Sequence, residues 1–219
     1  VDEQPGLRER KKDATRRQLS NAALDLFEEH GFHNVSCAAI ADAADVSKKT
    51  LFNYFSLKAD VVLEVARKHH VHAAATVVRE REPGQTPHGA LRAFLINALV
   101  ERHPITGLSD DPEVLRLNRL IHTTPVLAER EAQYQEDSRR LLAEALIEEG
   151  ASELTARLIA AQIQGVHLVL VAENTRRVMA GESPDDIHPD AVAATEHAFH
   201  LLEGGLGDLL RRPVPAHTG

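Results

Sequence analysis

The chain of 219 residues has one cysteine, one methionine and no tryptophan. The lone Cys37 rules out an intrachain disulfide and fits a reducing compartment such as the cytoplasm. No apolar run of about 18 residues goes without a polar break, so no membrane span is expected. The N-terminal stretch Val1-Asp2-Glu3-Gln4-Pro5-Gly6 lacks the apolar core of a secretory signal. Strand signals are almost absent, and there is no internal repeat or low-complexity tract. Also missing are a carboxylate pair, a nucleophile motif, a glycine-rich phosphate loop and a metal-ligand signature. These absences argue against an enzyme and point to no cofactor and no metal.

Positive charge is scarce overall, with a net charge of -8. Its distribution matters more than its sum. Between Arg8 and Arg17 stand Arg8, Arg10, Lys11, Lys12, Arg16 and Arg17, against only Glu9 and Asp13. Lys48, Lys49 and Lys58 form a second basic group, while residues 61–219 are acidic in balance. A DNA-binding protein needs a positive face only where phosphates approach, and a basic N-terminal quarter supplies one.

Helical periodicity runs through the chain, and about nine helices are expected. Leu19, Ala22, Ala23, Leu26 and Phe27 place a first helix over 13–30, with Gly31 as its stop. Ser36 and Ser47 can cap two short helices, 37–44 and 48–55. A longer fourth helix is expected over 58–81. Pro87, Pro112 and Pro125 stand at first helical positions, with Asp111 and Thr124 as caps for the last two. They open helices over 87–102, 112–122 and 125–149. A helix from Ser152 is apolar on most faces between Leu158 and Val171, as befits a buried or interfacial element. A last helix is expected over 189–203. Thirteen histidines include the group His69, His70 and His72 and the pair His197 and His200. Without accompanying carboxylates, these read as surface or core histidines.

The segment Ser36 to Lys58 carries the function. Ala38, Ala39, Ala41, Ala43 and Ala44 let two short helices cross closely, over a small core of Ile40, Val46, Leu51 and Phe55. Lys48, Lys49, Thr50, Asn53 and Tyr54 then fall on outward faces of the second helix. Lysines at a helix N-terminus oppose its dipole, so their presence there points to a negative partner.

The pattern Ala23-Leu24-x-Leu26-Phe27, Gly31-Phe32, Ile40-Ala41-x-Ala43-Ala44-x-Val46-Ser47-Lys48-x-Thr50-Leu51-Phe52-x-Tyr54-Phe55 and Lys58 resembles the tetracycline-repressor (TetR/AcrR) family of bacterial transcriptional regulators. The likeness spans about residues 13–62. Asp45 stands where the family usually has a left-handed glycine, and Phe52 where it often has tyrosine.

The resemblance implies an all-α chain. Its parts would be a flexible basic arm (1–12), a helix-turn-helix domain (13–57), a helical ligand-binding and dimerisation domain (58–210) and a disordered tail (211–219). It implies that Lys48, Lys49 and Thr50 face the DNA groove, flanked by Phe52 and Asn53. Ser36, Ser47, Tyr54 and Lys58 would meet phosphates.

The implied partners are an operator in double-stranded DNA, a second copy held through the last two helices, and a small-molecule effector, apolar or amphiphilic, with an acyl thioester as one class. Asn118, His122, Tyr134, Gln162 and His167 are polar residues on largely apolar helices. They are candidates to anchor that effector, satisfied core polarity being the other reading. The fourth helix is the expected lever between effector and DNA.

Overall fold

The computed structural model describes residues 7–204. They form ten α-helices and two short 3-10 turns, and no strand occurs among them. The helices are α1 (Leu7–His30), α2 (Cys37–Ala43), α3 (Lys48–Tyr54), α4 (Asp60–His70), α5 (Ala73–Glu80), α6 (Pro87–Val100), α7 (Pro112–Thr123), α8 (Pro125–Glu148), α9 (Glu153–Met179) and α10 (Pro184–Gly204).

Helix α1 buries Leu19, Ala23 and Phe27, one residue per turn on one face. Gly31, at φ 80°, ends it in a conformation that side chains resist. The helix begins six residues before the expected start at Asp13. Lys, Arg, Glu and Leu are good helix formers, and they carry the helix through the second half of the expected basic arm. Val1 to Gly6 and the expected disordered tail lie outside the described residues.

Two other boundaries and one cap depart from the sequence reading. The single helix expected over 58–81 is two, α4 and α5, parted at Val71 and His72. The break lets each half face a different core. Val71 packs with α1 and the short helices, whereas Ala75 and Val78 pack with α6, α8 and α9. Helix α10 starts at Pro184, not Pro189, because Ser183 caps it by accepting from the Asp186 N–H at 3.1 Å. Pro189 is tolerated inside because the carbonyl it leaves unbonded belongs to Asp185, which is exposed to water. Thr124 is buried and makes no side-chain cap to α8, although Asp111 caps α7 as expected.

Two larger cores stack along the molecule, and a third, smaller cluster joins Leu99, Leu108, Val178, Ile187 and Ala191. The lower one joins α1–α4 to Leu120, Leu127 and Tyr134 of α7 and α8. The upper one is built by α5, α6, α8, α9 and α10 around Leu142, Leu146, Ile163 and Phe199. Helix α9 is long and apolar enough to cross a membrane by length and composition, with little of its apolar window buried within one chain. It nevertheless packs against α8 and α10 and carries Gln164 and Asn174 buried. Its outer stripe of Leu154, Leu158, Ala161, Gly165, Val169 and Ala172 is exposed.

The turn before α7 is pinned to α9 by one glycine. Gly107, at φ 72°, lies so close that an added Cβ would sit 2.5 Å from the Val171 carbonyl oxygen and 2.6 Å from Thr175 Oγ1. Gly84 has a similar φ of 84° but faces open space. In urea denaturation at fixed protein concentration, Gly107→Ala should lose about 2–4 kcal/mol of stability and Gly84→Ala only about 1. Equal losses would show that α9 yields freely at this contact.

Candidate nucleic-acid interface and the cavity above it

The two short helices are fixed by their caps. Ser36 Oγ accepts from the Ala39 N–H at 3.1 Å, and Ser47 Oγ accepts from the Thr50 N–H at 3.0 Å. Between them Asp45 takes a left-handed φ of 48°, and the Val46 N–H returns to the Ala41 carbonyl at 2.9 Å. Aspartate bears that conformation better than most side chains. Gln18 of α1 donates to the Ala44 carbonyl at 2.9 Å and holds the turn against the first helix.

This scaffold buries Leu51 and Phe55 and turns the rest of α3 outward. Lys48, Lys49 and Asn53 are exposed, Phe52 is 48% exposed, and Thr50 and Tyr54 are half-buried. The Lys48 ammonium lies 5.9 Å from the Phe52 ring centre. Arg10, Lys11, Lys12 and Arg17 add exposed positive charge along α1. Arg16 is engaged internally: it reaches Glu64 at 3.3 Å and lies 5.4 Å from the Tyr54 ring centre. Ser36 and Ser47 are exposed, so each capping hydroxyl is also at the surface. Cys37 is half-buried against the lower core.

Lys58, expected at a phosphate, is half-buried and turned toward the fold. Its ammonium donates to the carbonyls of Phe32 at 2.6 Å and Val35 at 2.9 Å, and lies 4.1 Å from the Phe32 ring centre. The carbonyls at the end of the 3-10 turn Phe32–Asn34 attract the cation inward. Two of its three donors are therefore spent on the fold.

Above this head, α4 runs to a cavity of about 320 Å³ between α4, α7, α8, α9 and the turn at Pro104. Its walls are mostly apolar, including Ile105, Leu117, Ile121 and Val171. A wider surface groove of about 960 Å³ adjoins it and shares Asn118, Glu131 and Gln135 with it. Polar groups are held in place by the fold. His103 Nδ1 accepts from the Ile105 N–H at 3.2 Å. His167 Nε2 is 2.9 Å from the Ile105 carbonyl, and burial pushes its pKa down. His167 is therefore neutral and donates through Nε2. Burial raises the pKa of Glu131, opposed by a hydrogen bond from Gln135 at 2.9 Å. Gln164 donates to Gln135 in turn.

Of the five expected pocket residues, Asn118 and His167 line the cavity. His122 is exposed in the outer groove, its Nδ1 3.0 Å from the Asn118 carbonyl. Gln162 is exposed on α9 and lines neither space, because its helical phase points it away from α8. Tyr134 lies below the cavity, where its hydroxyl donates to Asp60. Arg130 donates to the same Asp60 oxygen at 2.7 Å. Desolvation and the Asp60 carboxylate raise the Tyr134 pKa. His70, His103, Glu131 and Gln135 line the cavity and were not among the candidates. Glu131 sits in a charge-rich stretch that reads as a solvated helix face. Only Ala128 and Ala132 beside it signal a close approach.

A tight helix pair with a capped, outward-facing basic second helix defines a helix-turn-helix DNA-binding protein. Residues 19–65 match the family profile described as bacterial regulatory proteins, tetR family. The transcriptional regulator TcmR of Streptomyces glaucescens is 32% identical over 176 residues, covering 77% of this chain and 76% of TcmR. The chain belongs to the tetR family and is a transcriptional regulator, not an enzyme. Solved structures share the fold at low identity. NalD of Pseudomonas aeruginosa, described as the secondary repressor of the MexAB-OprM multidrug efflux pump, superposes with TM-score 0.56 at 16% identity over 86% of this chain and 96% of its own. SmeT in its complex with triclosan gives TM-score 0.51 at 22% identity over 92% and 99%.

The Lys58 geometry makes a test of its role direct. Lys58→Met should lower stability by about 1.5–3 kcal/mol in denaturant titration, since two charge-assisted hydrogen bonds are lost. The salt dependence of DNA affinity should be unchanged. A slope reduced by roughly one would instead return Lys58 to the phosphate backbone.

Proposed function

We propose that this chain is a homodimeric transcriptional repressor that holds a palindromic operator through α3 and releases it when a small molecule enters the cavity. One observation carries the reading: α4 has the DNA-binding head at one end and the cavity at the other. Asp60, its first residue, is bound by α8, and His70, its last, lines the cavity. At 1.5 Å per residue the helix is a strut of roughly 15 Å. A ligand that moves His70 or α8 then moves the head, provided it favours one arrangement over the other. The break after His70 shortens the lever expected from sequence and leaves α5 fixed in the upper core.

In this reading Lys48, Lys49 and Thr50 reach base edges, with Phe52 and Asn53 beside them. Ser36, Ser47 and Tyr54 meet phosphates. Two copies pair through α9 and α10, which covers the exposed apolar stripe of α9; a monomer would leave it in water. The repressor sign follows NalD, and the small-molecule effector follows the triclosan complex of SmeT. The site of action is the cytoplasm, where the DNA is.

Operator fragments selected from random DNA test the assignment. The selected sites should be palindromic, with half-sites one or more helical turns apart at about 34–36 Å each. Lys48→Ala or Lys49→Ala should flatten preference at particular base pairs by about 1–3 kcal/mol. Val169→Asp, in the middle of the α9 stripe, should abolish both the dimer in sedimentation and the operator shift. A wild-type chain that sediments as a monomer at micromolar concentration, or selects no sequence, would overturn the reading.

A further inference from the structure

Glu131 is the only carboxylic residue on the wall of the inner cavity among the described residues. No lysine or arginine lines that cavity, and no described cation pairs with Glu131. The neighbouring arginines are taken: Arg130 by Asp60, and Arg139, in the outer groove, by Glu136. Gln135 donates to Glu131 Oε1 and is itself held by Gln164. This short amide chain aims a donor at the carboxylate and fixes it as an acceptor. The imidazoles of His167 and His103 are turned to the chain at Ile105, where His167 Nε2 meets the carbonyl and His103 Nδ1 accepts from the N–H.

A carboxylate withdrawn from water without a counter-charge is costly, and a cation brought in by a ligand removes that cost. An anion would meet the carboxylate with no basic group to offset it. Much of the remaining wall is apolar, so the cation's carrier is largely apolar as well.

We propose that the cavity takes amphiphilic monocations, a protonated amine seated on the Glu131 carboxylate and its apolar body lying among Ile105, Leu117, Ile121 and Val171. The proposal rests on the cavity being the effector site. It sets aside an acyl thioester in the inner cavity, since the phosphates of such a carrier would find no cation there. Glu131 also borders the outer groove, so a longer body extends past it toward the surface.

Three isosteric probes test the assignment: 2-naphthylmethylamine, 2-naphthylmethanol and 2-naphthoate, titrated calorimetrically into the protein near neutral pH. The amine should bind about tenfold or more tighter than the alcohol, with the carboxylate weakest. Glu131→Gln should bring the amine to the level of the alcohol and leave the alcohol within about twofold. Leu117→Trp, which fills the cavity, should weaken the amine and the alcohol together.

An alcohol or carboxylate that binds as tightly as the amine, or a Glu131→Gln chain that keeps the preference, overturns the cation assignment. If Leu117→Trp still removes binding in that case, the cavity stands as a ligand site. If no probe binds at millimolar concentration, or Leu117→Trp changes nothing, the cavity itself is wrong as the site, and this proposal falls with it.

Discussion

Asp60, the first residue of α4, is 3% exposed, and a carboxylate so far from water has to be met by donors. It gains a share of that from its position, since a negative charge at a helix N-terminus faces the positive end of the dipole. The remainder comes from α8, through the Arg130 guanidinium and the Tyr134 hydroxyl. The Arg130 guanidinium also lies 4.7 Å from the Tyr134 ring centre, so the three side chains form one packed unit. Removing any member leaves a buried polar group without its partner. The start of α4 is therefore tied to α8 at this point.

That point adjoins the cavity. Arg130 and Tyr134 flank Glu131 and precede Gln135 on α8, one face of the helix serving the latch and the neighbouring face the cavity wall. The other end of α4 carries His70 on the same wall. In the proposed function, a ligand in the cavity would touch both ends of the connection, α8 near the latch and α4 at its far end. On the DNA side the same economy holds: Gln18 ties α1 to the turn, and Lys58 ties the start of α4 to the loop after α1. Helix α3 sits on a tied unit, and in the proposed function α4 sets its orientation.

Much of the head was legible in the sequence because local chemistry decides it. Ser36 and Ser47 cap where hydroxyl residues precede short apolar runs, and Asp45 adopts the left-handed turn that the alanine-rich crossing demands. The exposure of Lys48, Lys49 and Asn53 follows from the burial of Leu51 and Phe55 on the opposite face. What was not legible depended on distant partners. Nothing in Val71-His72 is a helix breaker, and the break there serves two cores that only the fold brings into place. Lys58 resembles a surface lysine until the carbonyls of Phe32 and Val35 are seen beneath it. A tyrosine on a largely apolar helix can face either way, and Tyr134 faces Asp60 and not the cavity. Glu131 went unread because a buried carboxylate in a charged helix has no local signature.

The account stands on the claim that the latch at Asp60 fixes the position of the reading heads. The most direct test is the distance between the two heads of the dimer, measured by pulsed electron resonance with a nitroxide on Glu29→Cys in a Cys37→Ala background. Both positions lie on the head, and Glu29 is exposed. Tyr134→Phe removes one hydrogen bond from the latch while keeping the ring and the shape of the core. The wild-type dimer should give one narrow distance distribution, and Tyr134→Phe should broaden or shift it and weaken operator binding in parallel. An unchanged distribution in a folded Tyr134→Phe dimer would contradict the claim and place the control of the heads elsewhere.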